Sequence, residues 1–185
     1  MMLRGNRELW LAACAILLIT GVYVTVIIFT REIPPAGELF GHGMGIVGFA
    51  LMLMTETLYS LRKRSRSVRW GKLSNWLQFH IFTGIVGPYM VLLHSSWKFN
   101  GIAGVTTLFT IIIVISGFTG RYIFTRIPRT LDGLEIEGTL SQEAFKQARR
   151  LLALWHTIHI PIGMVLFTSA IVHIFAALYY ATFLK

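Results

Sequence analysis

Residues 80–94 read HIFTGIVGPYMVLLH, an apolar run that opens and closes on histidine, and residues 159–173 repeat the arrangement as HIPIGMVLFTSAIVH. An α-helix advances about 100° and 1.5 Å per residue, so a spacing of fourteen residues brings the second imidazole back to within about 40° of the first, about 21 Å further along the axis. Each stretch, read as a helix, therefore shows two imidazoles on one face. That face reads His80, Gly84, Gly87, Val91, His94 in the first stretch and His159, Gly163, Leu166, Ala170, His173 in the second. Histidine is costly in lipid unless it faces a bundle interior or a cofactor. A single buried histidine is most simply a hydrogen-bonded core residue. Two copies of H-x13-H, both beginning H-x3-G, favour ligation instead.

The surroundings of these stretches set the class. The chain has 185 residues, of which 55% are hydrophobic and 14% charged, and its apolar residues come in runs of about twenty, the length a helix needs to cross the hydrocarbon core. The expected fold is all-α: an integral membrane bundle of five transmembrane helices at about 9–29, 43–61, 76–97, 102–124 and 156–180, a single membrane domain over 1–185 with no second soluble domain. The loop between the last two spans, about 125–155, contains TLSQEAFKQARR, expected to form a short amphipathic helix capped by Thr139 or Ser141 and running into the fifth span. All five tryptophans (Trp10, Trp70, Trp76, Trp97, Trp155) fall near expected membrane edges, where amphipathic rings settle. The first span is too long for a signal-peptide core and ends VTVIIFTRE without a small-residue cleavage site, so it is retained as a helix.

A net charge of +9 could indicate nucleic acid, but the cations flank the spans and read as orientation signals. Arg4 and Arg7 precede the first span. Arg62, Lys63, Arg64, Arg66, Arg69 and Lys72 follow the second, and Arg121, Arg126, Arg129, Lys146, Arg149 and Arg150 lie between the fourth and fifth. These are fourteen of the 17 Lys and Arg; Arg31, Lys98 and Lys185 fall on the other side. The expected topology has a cytoplasmic N-terminus and an outer C-terminus in a multi-pass protein of the cytoplasmic (inner) membrane. No nucleic-acid partner is expected. The basic inner loops suit an acidic docking partner, a soluble or membrane subunit of a larger redox complex.

Cys14 is the single cysteine, which excludes an internal disulfide, a cysteine-held iron–sulfur cluster and covalent c-type haem attachment. The third and fifth spans are both odd-numbered and so cross in the same direction, which pairs His80 with His159 and His94 with His173. Small residues beside the histidines, Gly84, Gly87 and Gly163, would let a flat macrocycle approach the backbone.

These four histidines and their spacing resemble those of the di-haem membrane cytochromes b, in particular the ferric reductase-like transmembrane domains of ferric reductases and NADPH oxidases. The resemblance covers about 40–180, and its specific part is His80, His94, His159 and His173. It implies two haem b groups, each held by a pair of these histidines, and a role as an electron-transfer subunit of an oxidoreductase of quinone- or ferric-reductase type. Two departures are plain: the chain carries no flavin or NADPH domain, and it has five spans where such domains commonly have six. The competing reading is a chlorophyll-binding or structural membrane subunit that uses the same histidines as single axial ligands.

The remaining signals are weaker. GMGIVG at 43–48 matches a dinucleotide fingerprint but lacks the preceding strand, and its glycines read as a close-packing face with Gly41 and Met52. Glu56 lies on that face and is a candidate for quinone or proton chemistry, set against a pair with Arg62 or Arg121. His42 is a second such candidate, or an alternative ligand at the outer level, set against a plain interfacial histidine. His156 and His159 form H-x-x-H without a third zinc ligand. Arg121, in SGFTGRY, is expected to neutralise a propionate of the inner haem.

Overall fold

A computed structural model describes residues 6–64, 71–125 and 142–183. Five helices follow in order: α1 (Arg7–Thr30), α2 (Leu39–Arg64), α3 (Leu73–His94), α4 (Gly101–Thr125) and α5 (Gln142–Phe183). Each is long and apolar enough to cross a membrane, so the protein is an all-α, multi-pass membrane protein. Arg4, Arg66, Arg69, Arg126, Arg129, Lys185 and the expected cap residues Thr139 and Ser141 lie outside the described residues.

Helix ends follow local chemistry. α1 stops where Arg31 turns left-handed (φ 57°) and its N–H reaches back to the Ile27 carbonyl. α3 ends at His94, short of the expected boundary at 97, because Ser96 and Trp97 take φ of 49° and 61° to turn the chain into α4. The Ser96 hydroxyl bonds to the Pro34 carbonyl at 2.6 Å, tying that turn to the one joining α1 and α2. The helix expected to run into the fifth span does so as α5. The amphipathic segment and the fifth span form one continuous helix of 42 residues, about 63 Å long and about twice the hydrocarbon thickness. No Gly or Pro interrupts 142–160, so nothing in the sequence separates the two parts, and Pro161 is accommodated within the helix.

Short turns over 31–38 and 95–100 reverse the chain between α1 and α2 and between α3 and α4, and side-chain contacts show the same reversal elsewhere: Thr55 and Gly41 of α2 meet His80 and His94 of α3, and Ser116 and Thr106 of α4 meet His159 and Ser169 of α5. The start of α1, the end of α2, the start of α3, the end of α4 and the start of α5 therefore share one side, here called the N-side. A side-chain bond across the bundle agrees: Arg121 near the end of α4 meets Glu8 at the start of α1. α3 is the central element and packs against α1, α2 and α4, while α5 packs against α4. The α2–α3 contact is close because Gly48 and Gly87 face each other. A Cβ on either would come within 2.9 Å of the other's carbonyl oxygen, the backbone approach that small residues permit in membranes. The buried apolar residues around α1–α3, among them Ala12, Tyr23, Met44, Val86, Met90 and Leu93, form a small core. Outward positions such as Leu17, Leu18, Phe29 and Phe175 are exposed, as on a surface solvated by lipid tails.

α3 and α5 are among the helix pairs that do not pack directly on each other. Among the described residues, no Cα of one comes within 8 Å of a Cα of the other. The two helices that carry the paired histidines are thus not in direct backbone contact, and the region between them is here called the slot.

Candidate functional site

The slot has two levels. His159 stands close enough to His80 for a charge on either to act on the other, and the same holds for His173 and His94. Within each helix the two levels are fourteen residues apart, about 21 Å along the axis.

At the N-side level the His80 ring turns its Nδ1 to the Thr55 carbonyl of α2 at 3.0 Å. A carbonyl only accepts, so Nδ1 carries the proton and Nε2 keeps its lone pair. The Tyr59 ring lies 5.0 Å from the His80 ring, centroid to centroid. The Thr55 hydroxyl donates to the Thr83 hydroxyl at 2.7 Å, and Thr83, fully buried, donates to the Phe79 carbonyl, which ties α2 to α3 beside this histidine. Opposite, His159 Nδ1 meets the Ser116 hydroxyl of α4 at 3.0 Å. Trp155 stacks on the His159 ring with centroids 4.5 Å apart and planes 29° apart, and its indole N–H donates to the Ser116 carbonyl at 2.7 Å. Gly120 makes this possible, since a Cβ there would overlap the Trp155 indole.

At the far level His94 Nδ1 meets the Gly41 carbonyl of α2 at 2.8 Å. Gly45 lets the ring in, because a Cβ there would stand 2.8 Å from His94 Cγ. Gly41 and Thr55 are themselves fourteen residues apart, so antiparallel α2 presents a carbonyl to each histidine of α3 in matching register. His173 makes no hydrogen bond among the described residues. Midway between the levels, Phe49 of α2 and Phe167 of α5 bring their rings to 6.2 Å and bridge the slot.

The other expected residues divide. Gly163 is buried, and a Cβ there would stand in ordinary contact with Ile113 at 3.9 Å and the Glu56 carboxylate at 4.0 Å. Gly84 and Gly87 do not line the slot: Gly84 meets Thr55 and Gly87 meets Gly48, so both serve the α2–α3 contact. The face drawn through them on a helical projection was too wide, because α2 covers that flank. Glu56 sits at the N-side level, within electrostatic range of His80 and beside Gly163, and forms no ion pair among the described residues. Neither arginine set against it reaches it: Arg62 donates to the Gly71 carbonyl and Arg121 is held elsewhere. His42 is exposed and approaches His94 edge-on at 6.4 Å. His156 lies against Trp155.

Arg121, expected beside a propionate, is held by groups of the protein itself. Its guanidinium donates to the buried Glu8 carboxylate at 2.6 Å and to the Asn6 side-chain oxygen at 3.2 Å. Its charge thus binds α4 to α1, because the carboxylate at the start of α1 would otherwise be buried alone.

Sequence reasoning missed Ser116, Trp155, Thr55, Gly41 and Gly45. Thr55 and Gly41 act through backbone carbonyls, which side-chain identity does not reveal. Ser116 and Trp155 sit one on each of two helices, and their meeting depends on how α4 packs on α5.

Among the described residues no three or more His, Cys, Asp or Glu converge as a metal ion would need if the protein supplied all its ligands. The arrangement is two opposed imidazole pairs, a donor set suited to a metal already held in a macrocycle, which asks only for two axial nitrogens. Comparison of the chain with protein-family models, curated proteins and solved structures returns no match. The reading that follows therefore stands on these side chains.

Proposed function

We propose that the chain is a membrane cytochrome b that carries electrons across the cytoplasmic membrane through two haem b groups, one held by His80 and His159, the other by His94 and His173. The observation that carries this is the hydrogen bonding of the imidazoles. His80, His94 and His159 each engage Nδ1 with a fixed oxygen on a neighbouring helix. For His80 and His94 that oxygen is a backbone carbonyl, which only accepts and so selects the tautomer whose free Nε2 points away from it, as in metal-ligating histidines; for His159 the Ser116 hydroxyl, which also accepts from the Trp155 indole, holds the ring in place. α3 and α5 make no direct backbone contact, and Gly163 puts no side chain on α5 between its two histidines, so a macrocycle held by these imidazoles would lie between the two helices.

Each bound haem supplies a one-electron Fe(III)/Fe(II) couple. The protein's part is to hold the imidazoles in one tautomer and one orientation, to keep water from the slot, and to set the charge around each level. Thr55 and Ser116 hold the N-side pair, and Gly41 holds one member of the far pair. Phe49 and Phe167 close the space between levels. Glu56 places a carboxylate at the N-side level alone. Each haem b is a non-covalent guest, in keeping with a chain whose single cysteine offers no c-type attachment.

The chain is further inferred to work as a subunit of a larger oxidoreductase, with its N-side, rich in Lys and Arg, facing the cytoplasm and an acidic partner. The extension of α5 beyond the bilayer, with Lys146, Arg149 and Arg150 exposed along it, adds cationic surface there. Purification of the whole chain in detergent followed by a pyridine haemochrome assay tests the central claim. Two haem b per chain with low-spin bis-imidazole spectra are expected. A preparation free of haem, or loaded with a chlorophyll instead, would overturn it.

A further inference from the structure

We infer that the cleft between the N-side ends of α1 and α3 binds the headgroup of an isoprenoid quinone. The cleft is an open groove of about 400 Å³ lined by these two helices, a volume within the range of small-ligand sites. It opens on the face of α3 turned away from His80: by helical geometry Gln78 and Phe82 lie about 160° round the helix from that histidine, and Asn75 about 140°. It is therefore distinct from the slot and stands one helix diameter, about 10 Å, from the nearest ligand.

Its walls specify an occupant. Phe79 and Phe82 present two aromatic rings, and Ala15 leaves the opposite wall low. Asn75 and Gln78 bring two carboxamides, neither of which makes a side-chain hydrogen bond among the described residues. Each offers a donor and an acceptor, and the half-buried Gln78 amide is costly to leave unpaired at the edge of an apolar phase. At the mouth Glu8 is buried, and its charge is already met by Arg121 at 2.6 Å. Arg7 is the one other charge in the wall. An anionic lipid headgroup would meet that single guanidinium beside a carboxylate, which is poor complementarity. A flat, uncharged ring bearing oxygens that accept or donate hydrogen bonds matches both the amides and the aromatic walls. Its apolar tail has a path, because Ala15 lies seven residues, about 10 Å, deeper than Glu8 and α1 continues with exposed Leu18 and Val22. The choice of a redox-active ring over another neutral ring rests on the electron-carrier reading above.

The test uses the whole haem-loaded chain in phosphatidylcholine nanodiscs. Binding of decylubiquinone and of a short-chain menaquinone is read from quenching of tryptophan fluorescence, against empty discs. Saturable binding is expected, weakened at least tenfold by Gln78→Leu, which removes the amide, and by Ala15→Phe, which fills the cleft. An azido-quinone should label unsubstituted protein within residues 7–15 and 75–82, a readout independent of how the variants fold. Equal affinity in all three proteins, labelling confined to the surroundings of His42 or Glu56, or displacement of the quinone by phosphatidylglycerol would each overturn the assignment. Haem content is measured on every sample. Loss of quinone binding with two haems present defeats the cleft alone, and quinone binding by a chain without haem defeats the electron-carrier reading alone.

Discussion

The two histidine levels are built to different standards. At the N-side level both imidazoles are anchored, His80 on the Thr55 carbonyl and His159 on the Ser116 hydroxyl, and each lies beside a large ring, Tyr59 or Trp155. At the far level His94 is anchored on Gly41, His173 has no hydrogen bond among the described residues, and the space beside His94 is made by the absence of a side chain at Gly45. A carboxylate, Glu56, stands near the first level, and a second imidazole, His42, near the other. One spacing in the sequence thus yields two unequal sites. The difference arises from α2 and α4, which carry none of the four histidines.

The comparison can be broken most decisively at the ligands. His80→Ala and His159→Ala should each remove the same centre, and His94→Ala and His173→Ala the other, so that each variant keeps one haem of two. Redox titration of the four proteins reads this directly, and loss of a single common centre by His80→Ala and His173→Ala would show the level pairing to be wrong.

Next in size are the glycines that make room for rings. Gly45→Ala forces a methyl group to 2.8 Å from His94 Cγ, and overpacking of this kind costs about 1–3 kcal/mol. It should loosen or remove the far centre while sparing the N-side one. Gly120→Ala should do the reverse, displacing Trp155 from α4 and with it the ring stacked on His159. Haem content and the spectra of the two centres separate these outcomes.

Ser116→Ala leaves His159 in the chain but removes the hydroxyl that holds its Nδ1. Loss of such a partner typically weakens metal binding by about 10–100-fold, so haem dissociation from the N-side level should speed up by an amount in that range. The far level should be untouched. Equal effects on both levels would mean that the variant acts through general packing.

A smaller effect is expected at Glu56. A negative charge nearby favours Fe(III) over Fe(II), so Glu56→Gln should raise the midpoint potential of the N-side centre and leave the far one where it is. Potentiometry of the variant checks the sign as well as the site. Smallest of all is Thr83→Val, which deletes a buried hydroxyl between α2 and α3 without touching a ring. A stability loss of about 1 kcal/mol is expected, measured by unfolding in detergent, with both haems retained.

Sequence reasoning went furthest where chemistry repeats along one helix. Five spans follow from apolar runs about as long as a bilayer is thick, and the structure contains five helices in those places, differing by a few residues at most ends. Equal helix direction and a spacing close to whole turns also lead to the expectation that His80 pairs with His159 and His94 with His173, and each of these two pairs lies within electrostatic range in the structure. Arg121 shows where this kind of reading stops. An arginine at the N-side end of a helix invites an anionic partner, but which one depends on tertiary placement, and the structure supplies Glu8 from 113 residues away. Gly84 and Gly87 fail for the same reason: a projection of α3 alone does not say which flank its neighbour covers.

Length, hydropathy and periodicity are properties of single segments in a uniform apolar solvent, and they determined by themselves that this chain is a five-helix membrane protein with four histidines on two matched faces. The separation of α3 from α5, the carbonyls of α2 set in register with the histidines, the stacking of Trp155 and the cleft beside α1 were decided by the tertiary structure alone. Each depends on the distance between helices, which is set by side chains from several elements meeting at once, and backbone oxygens carry no side-chain identity by which a sequence could announce them.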